Sequence, residues 1–401
     1  MWEQIRSNRR RSVVLVITMA LLLLGLGFVI GEASQPGAGL IGLVIAFIVW
    51  SVMALVSYYS GGNILLAFSG ARKVSREDNP RLYNVVEEMQ IAAGLKKTPD
   101  VYIIDTMAPN AFATGRDPDH AAIAVTAGLL AKLNRDQLQG VIAHEIGHVR
   151  NRDILFMTLL SVMLGAIVLI SEVFLRKLFF FGAGRRSRSS NGGNQLQIVM
   201  ILVAIVFAIL APVLGQIIYF AASRRREYLA DASAAVFTRY PEGLASALEI
   251  IAAGSSEPIP GVSRATAPLY INNPLSRSAV GLFSTHPPIE ERIAILRGMG
   301  GSGEASFKAY QGAYGNVTRR ASNIVPQSAL GLAAAPLRGA APSDDASPRK
   351  AMREAYNTVR KANRYTFVDC ECGLRIKLPP TYRNPSVTCP RCGTQHVVRK
   401  P

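Results

Sequence analysis

The sequence predicts a mainly α-helical, polytopic membrane protein with a small β-sheet and a short Cys-rich module at its C-terminal end. Three observations carry this reading. Four apolar stretches, 13–30, 40–59, 154–170 and 198–222, contain no charged residue, and about 20 helical residues cross a hydrocarbon core of roughly 30 Å. Strand-like apolar runs are short, at 101–105 and 121–125, and lie between helical patterns. All four Cys lie after residue 369, so no disulfide framework staples the rest of the chain. A composition of 49% hydrophobic and 18% charged residues excludes a disordered chain. The concentration of apolar residues into blocks excludes an ordinary soluble enzyme.

Taken in order, residues 1–60 read as an N-terminal transmembrane hairpin. Arg6, Arg9, Arg10 and Arg11 precede the first span, and the loop 31–39 carries no Lys or Arg. The positive-inside rule therefore places the N-terminus in the cytoplasm and returns residues 61–153 to that side. The first span is long for a cleaved signal and no small-x-small site follows, so it reads as a retained anchor. Within 61–153 the spacing predicts helices over 81–93 and 134–152, the second capped by Asn134 ahead of Asp136. Residues 154–222 form a second hydrophobic hairpin. Its loop, 176–194, holds Arg176, Lys177, Arg185, Arg186 and Arg188, which runs against the charge rule if the hairpin crosses fully. Residues 223–300 are helical with a breaker at Pro241, then loop, then a helix over 287–297 stopped by a Gly-rich run. The stretch 301–364, rich in Ala, Gly, Pro and Ser, reads as a flexible basic linker with one helix over 348–364.

The chemistry centres on His144-Glu145-Ile146-Gly147-His148. Two imidazoles four apart share one helix face and can grip one Zn²⁺, while the adjacent carboxylate reaches a bound water as general base. Gly147 leaves room for another backbone. A catalytic zinc needs a third protein ligand and an open position. Position 154 is Ile, so the extended three-His pattern fails. Glu172 would lie on the order of 35 Å away along a continuous helix. Glu227 is better placed, because a hairpin with legs of about 30 residues returns it to the level of His148. Asp231, one turn on, can fix the tautomer of a ligating His.

His144 to His148, followed after a hydrophobic hairpin by Ser223-Arg-Arg-Arg-Glu227-Tyr-Leu-Ala-Asp231, resembles the membrane zinc endopeptidases typified by the heat-shock protease HtpX, relatives of the prenyl-protein (CAAX) proteases. Asn110-Ala-Phe-Ala-Thr-Gly115 and Thr285-His-Pro287 resemble further family elements. The likeness covers roughly residues 1–300. It implies a gluzincin with zinc on His144, His148 and Glu227, Glu145 as base, and a multi-pass protein of the cell membrane whose site faces the cytoplasm. It also implies a role in degrading misfolded or damaged membrane proteins. Arg224, Tyr228 and His286 are the candidates for stabilising the oxyanion. An extended polypeptide substrate would add as a strand beside Asn110, Ala111 and Phe112.

Cys370-Glu-Cys372-Gly and Cys389-Pro-Arg-Cys392-Gly, 16 residues apart, resemble a zinc ribbon in the module 365–401. So short a module buries little core, and a structural zinc would supply its folding energy. The formal charge of +17 would suit phosphate, but much of it flanks the spans, where anionic lipid accounts for it. Lipid and polypeptide are therefore the expected partners, and nucleic acid is not.

Overall fold

The computed structural model describes residues 2–159, 161–162, 224–254, 259, 269–272, 287–320, 324–341 and 347–398. Helices α1 (Trp2–Ser34) and α2 (Gly39–Phe68) pack together as a helical hairpin. Small residues let the two backbones touch: a Cβ on Gly27 would stand 2.3 Å from Ala46 Cβ, and one on Gly42 would stand 2.2 Å from the Gly27 carbonyl oxygen. Close approach of this kind is how helices associate where no hydrophobic effect operates between them. Among the described residues α2 alone is long and apolar enough to cross a membrane, with a mean hydropathy of 2.6; the apolar run of α1, Val16–Glu32, is shorter. The fourth apolar stretch and the basic loop 176–194 lie outside the described residues, as does most of the third stretch.

Residues beyond α2 build a four-stranded sheet in the order β1-β2-β4-β3, from β1 (Arg72–Lys73), β2 (Asp100–Ile104), β3 (Ala111–Gly115) and β4 (Ala121–Thr126). Strand β2 runs parallel to β4, whereas β3 is an antiparallel edge strand with Ala111 opposite Val125. Helix α3 (Pro80–Ala93) starts at Asn79, whose side chain accepts from the Leu82 N–H. The short helix α4 (Ala127–Lys132) follows β4 directly and has no counterpart in the sequence reading.

Helix α5 (Arg135–Arg150) carries the His pair and begins at Asn134, as its sequence predicts. Asn134 and Gln137 form a capping box, each side chain bonding the other's backbone N–H. The helix Pro241–Ala253 lies so close that a Cβ on Gly140 would meet the Leu244 nitrogen at 2.6 Å. One continuous helix from 134 into the third apolar stretch is not what forms. Helix α5 ends at Arg150, Arg152 takes φ 58°, and a new helix starts at 153.

The stretch 301–364 is not a flexible linker. Residues Phe307–Thr318 form a helix whose Phe307, Tyr310 and Tyr314 are buried in the same hydrophobic core as Leu138, Val141 and Leu296. Arg338 then buckles the chain to α5: its guanidinium donates to Asp136 (2.8 Å) and Gln139 (2.6 Å), and to the Thr238 carbonyl (2.9 Å). The helix Pro348–Ala362 lays Ala355 and Val359 into the core, with Thr358 Oγ1 accepting from Asn79 Nδ2 at 3.0 Å. Composition misleads here because Ala-rich, Gly-spaced segments also suit close packing, and only their aromatic residues signal a core.

Candidate metal centre and active site

His144 and His148 face the same way from α5, and the 224–238 helix brings Glu227 to them. His144 Nε2 and His148 Nε2 lie 3.2 Å apart; they stand 3.6 and 3.5 Å from Glu227 Oε2 and Oε1 respectively. An ion bonded at about 2.0–2.2 Å to a tetrahedral donor set has donor–donor edges of about 3.3–3.6 Å. The three separations are close to those edges, with the Glu227 carboxylate turning a different oxygen to each imidazole. Two imidazole nitrogens so close, facing a carboxylate inside the protein, could hold a divalent cation, and zinc suits such a donor set. Close packing makes the geometry possible: a Cβ on Gly147 would stand 3.3 Å from Ala230 Cα and 3.2 Å from Ser233 Cβ.

Each imidazole is oriented through its other nitrogen. His144 Nδ1 lies 2.9 Å from Asp231 Oδ1, and His148 Nδ1 lies 3.3 Å from Asp153 Oδ2. Such carboxylate partners fix the tautomer and raise ligand basicity. The helix break at 151–152 is what turns Asp153 back onto His148. Burial alone would lower the His144 pKa, but the Asp231 and Glu227 carboxylates outweigh it and push it up to about 9. The site therefore holds a strong preference for positive charge at its centre. Glu227 and Asp231 are buried, so they are not the solvated ends of a basic helix.

Arg292, which sequence reasoning missed, ties these groups together. Fully buried on the helix Ile289–Gly298, it donates from Nε and Nη2 to Asp231 at 2.8 and 2.7 Å. Its Nη1 lies 3.6 Å from Glu227 Oε2. Burial works to raise the Asp231 pKa, yet Arg292 holds it below the ordinary carboxylate range. Nothing local distinguishes Arg292 from its charged neighbours Glu290, Glu291 and Arg297. Replacing Asp231 with Asn leaves that buried guanidinium without its anion and loosens His144. Zinc affinity should then fall about 10–100-fold, read by competition with a chromophoric chelator, together with a lowered Tm. Unchanged affinity would show that His144 needs no such support.

The other predicted residues divide. Glu145 is buried, and its pKa is raised chiefly by desolvation, with the neighbouring imidazoles opposing. Tyr228 does not serve the oxyanion: its hydroxyl donates to Glu291 and its ring packs edge-on against Tyr314, 5.0 Å between centroids. On a helix, the residue after a ligand points elsewhere. Arg224 lies on the Glu227 helix, three residues before the carboxylate, and is partly exposed; His286 lies outside the described residues.

On edge strand β3, the Asn110 carbonyl accepts from Thr126 N–H, so residues 110, 112 and 114 face β4 and 111, 113 and 115 face away. The Ala111 carbonyl accepts from Ile271 N–H. Asn110 Nδ2 donates to the Asn272 carbonyl at 2.7 Å, and Phe112 is buried against Tyr270. Gly115 N–H approaches Thr158 Oγ1 at 3.4 Å. The three residues named from sequence are thus engaged in the fold, and Ala113, itself buried, turns its backbone N–H and C=O away from β4 between the two contacts.

In the C-terminal module, two antiparallel hairpins (Thr366–Asp369 with Arg375–Leu378, Ser386–Thr388 with Gln395–Val397) each carry a Cys pair at the turn. Gly373 and Gly393 follow the pairs with φ 82° and 77°, the left-handed conformation such turns require. Sγ separations of 3.3 Å (Cys370–Cys392) and 3.7 Å (Cys372–Cys389) exceed a disulfide bond of about 2.0 Å. They approach the edge of about 3.8 Å expected for a thiolate tetrahedron on zinc at about 2.3 Å. The four thiols are compatible with a zinc ribbon.

Comparison with known proteins agrees with this geometry. The family description "Peptidase family M48" matches residues 76–300. "Protease HtpX homolog" of Dictyoglomus turgidum is 47% identical over 300 residues, covering 75% of this chain and 95% of that protein. Its namesake in Thermoanaerobacter pseudethanolicus is 44% identical over 303 residues, covering 75% and 98%. The solved Ste24p of S. mikatae overlaps with a TM-score of 0.40 at 20% identity, covering 74% of this chain and 67% of that one, a likeness too slight to carry an argument. From residues 76–300 and these relatives, the chain belongs to peptidase family M48 and is a metalloprotease, with the zinc cofactor that the family implies.

Proposed function

We propose that this chain is a multi-pass zinc endopeptidase of the gluzincin kind in the cell membrane, hydrolysing peptide bonds of misfolded or damaged membrane proteins at the cytoplasmic face. The observation that carries it is the convergence of His144, His148 and Glu227 at tetrahedral-edge distances. They stand beside a buried Glu145, in a chain whose α2 is long and apolar enough to span a bilayer.

His144, His148 and Glu227 would hold the ion. Zinc, when bound, supplies a Lewis acid that lowers the pKa of water and polarises the scissile carbonyl. Glu145 takes the proton from the attacking water and delivers it to the departing amide nitrogen; burial makes this carboxylate more basic than an exposed one. Asp231, Asp153 and Arg292 keep the imidazoles turned and the ligand carboxylate in place. An extended substrate pairs with the outward N–H and C=O of Ala113, so backbone shape counts for more than side-chain identity. Tyr228 being turned away, Arg224 and His286 are the remaining oxyanion candidates.

The test is cleavage of an unfolded reporter such as casein by the detergent-solubilised full chain, with zinc measured alongside. Two ions per chain are expected, one removed by brief chelation together with activity and restored by added zinc. Cleavage that survives removal of both ions would overturn the proposal.

A further inference from the structure

A second surface lies on the far side of the sheet from edge strand β3. The helix Pro348–Ala362 packs on α4 and the β1–β2 edge, and Lys377 of the first hairpin of the Cys module stands beside its outer face. Between them is a groove of about 440 Å³. It is lined by Arg349, Arg353, Arg360 and Lys377 together with Met352 and Tyr356, and among the described residues no acidic side chain lines it. Met352 and Tyr356 are 37% and 38% exposed. Asp369 on the hairpin is already paired with Arg375. Arg360 lies over the Tyr356 ring, 6.0 Å from its centroid, and among the described residues none of the four cations is in a salt bridge. Burial, then the fields of Arg360, Arg353 and Arg375, holds the Lys377 ammonium below its ordinary pKa. Four cations around an apolar floor cost stability unless something anionic comes to them.

We infer that this groove binds an acidic polypeptide segment, one apolar side chain resting on Met352 and Tyr356 and carboxylates meeting Arg349, Arg353, Arg360 and Lys377. Charge complementarity names the sign of the occupant, and shape narrows its class. A bilayer is flat and would need the helix's apolar face, but Ala351, Ala355 and Val359 are buried inward. Single-stranded nucleic acid is held by successive aromatic platforms, and this groove offers one ring. A peptide supplies both the carboxylates and the apolar anchor in one strand.

The experiment uses the full chain carrying Glu145→Gln, so that no probe is cleaved, in neutral detergent with zinc bound. Fluorescence anisotropy follows a labelled twelve-residue peptide of Glu, Asp and Leu with one Phe. The same peptide with Lys in place of its acids, a single-stranded RNA, and vesicles containing phosphatidylserine serve as the other arms. The expected result is saturable binding of the acidic peptide alone. Arg353→Glu with Arg360→Glu should weaken it by about tenfold or more, and Met352→Ser with Tyr356→Ser, which removes no charge, should weaken it too. Circular dichroism and zinc content report that each variant is folded, and Lys377→Glu repeats the charge test from the Cys module. Equal binding of the Lys peptide, indifference to the charge reversals, or a charge-dependent preference for RNA or vesicles over the acidic peptide would overturn the inference.

Discussion

Glu145→Gln is expected to retain the full complement of zinc and lose about 10²–10⁴-fold in kcat/KM on an unfolded substrate, enough to silence a gel-based assay. The substitution keeps the shape of a side chain buried in α5 and removes only its ability to accept a proton. Because His144, His148 and Glu227 are untouched, their mutual distances and the supporting Asp231 and Asp153 contacts should persist. Metal content and activity therefore separate in this one variant. Cleavage at the wild-type rate would refute Glu145 as the base, whereas loss of zinc would recast it as part of the ligand shell.

Truncation after residue 300, where the family match ends, should be far more damaging than truncation after residue 364. The first cut removes Phe307, Tyr310 and Tyr314, all buried in the common core. Each large side chain lost from a core costs about 3–5 kcal/mol, against a total stability of about 5–15 kcal/mol. It also strips Tyr314 from the ring of Tyr228, which follows the ligand Glu227 directly. The shorter chain should fail to accumulate as a folded, zinc-binding species. The second cut removes only the Cys module and leaves the Pro348–Ala362 helix in place, so hydrolysis should persist. Thermal melting and zinc content of the two truncations decide the matter; a fully folded, active chain ending at 300 would show that the extension is an appendage.

The outcome for 301–364 shows what composition can and cannot report. A bias toward small residues and Pro looks like a tether, and Arg338 looks like one basic residue among many. Its distant hydrogen-bond partners sit at Asp136, Gln139 and Thr238, on elements whose positions no local pattern reveals. The helix break at 151–152 was equally missed, since Arg150-Asn151-Arg152-Asp153 suits a polar helix face as well as a turn, and nothing in it specifies the left-handed Arg152.

What the sequence determined by itself is local. Four residues from His144 to His148 put both rings on one face of any helix, Asn134 ahead of Asp136 announces where that helix starts, and equal hairpin legs bring Glu227 back as the third ligand. The alternation of Cys and Gly near the C-terminus announces its turns in the same way. What only the tertiary structure decided is which distant charges close around the site. Arg292 meets Asp231 across 61 residues, and Asp153 turns back onto His148. Those contacts arise where packed helices exclude water and leave a buried charge no partner but another, a condition set by the assembled core and carried by no short stretch of chain.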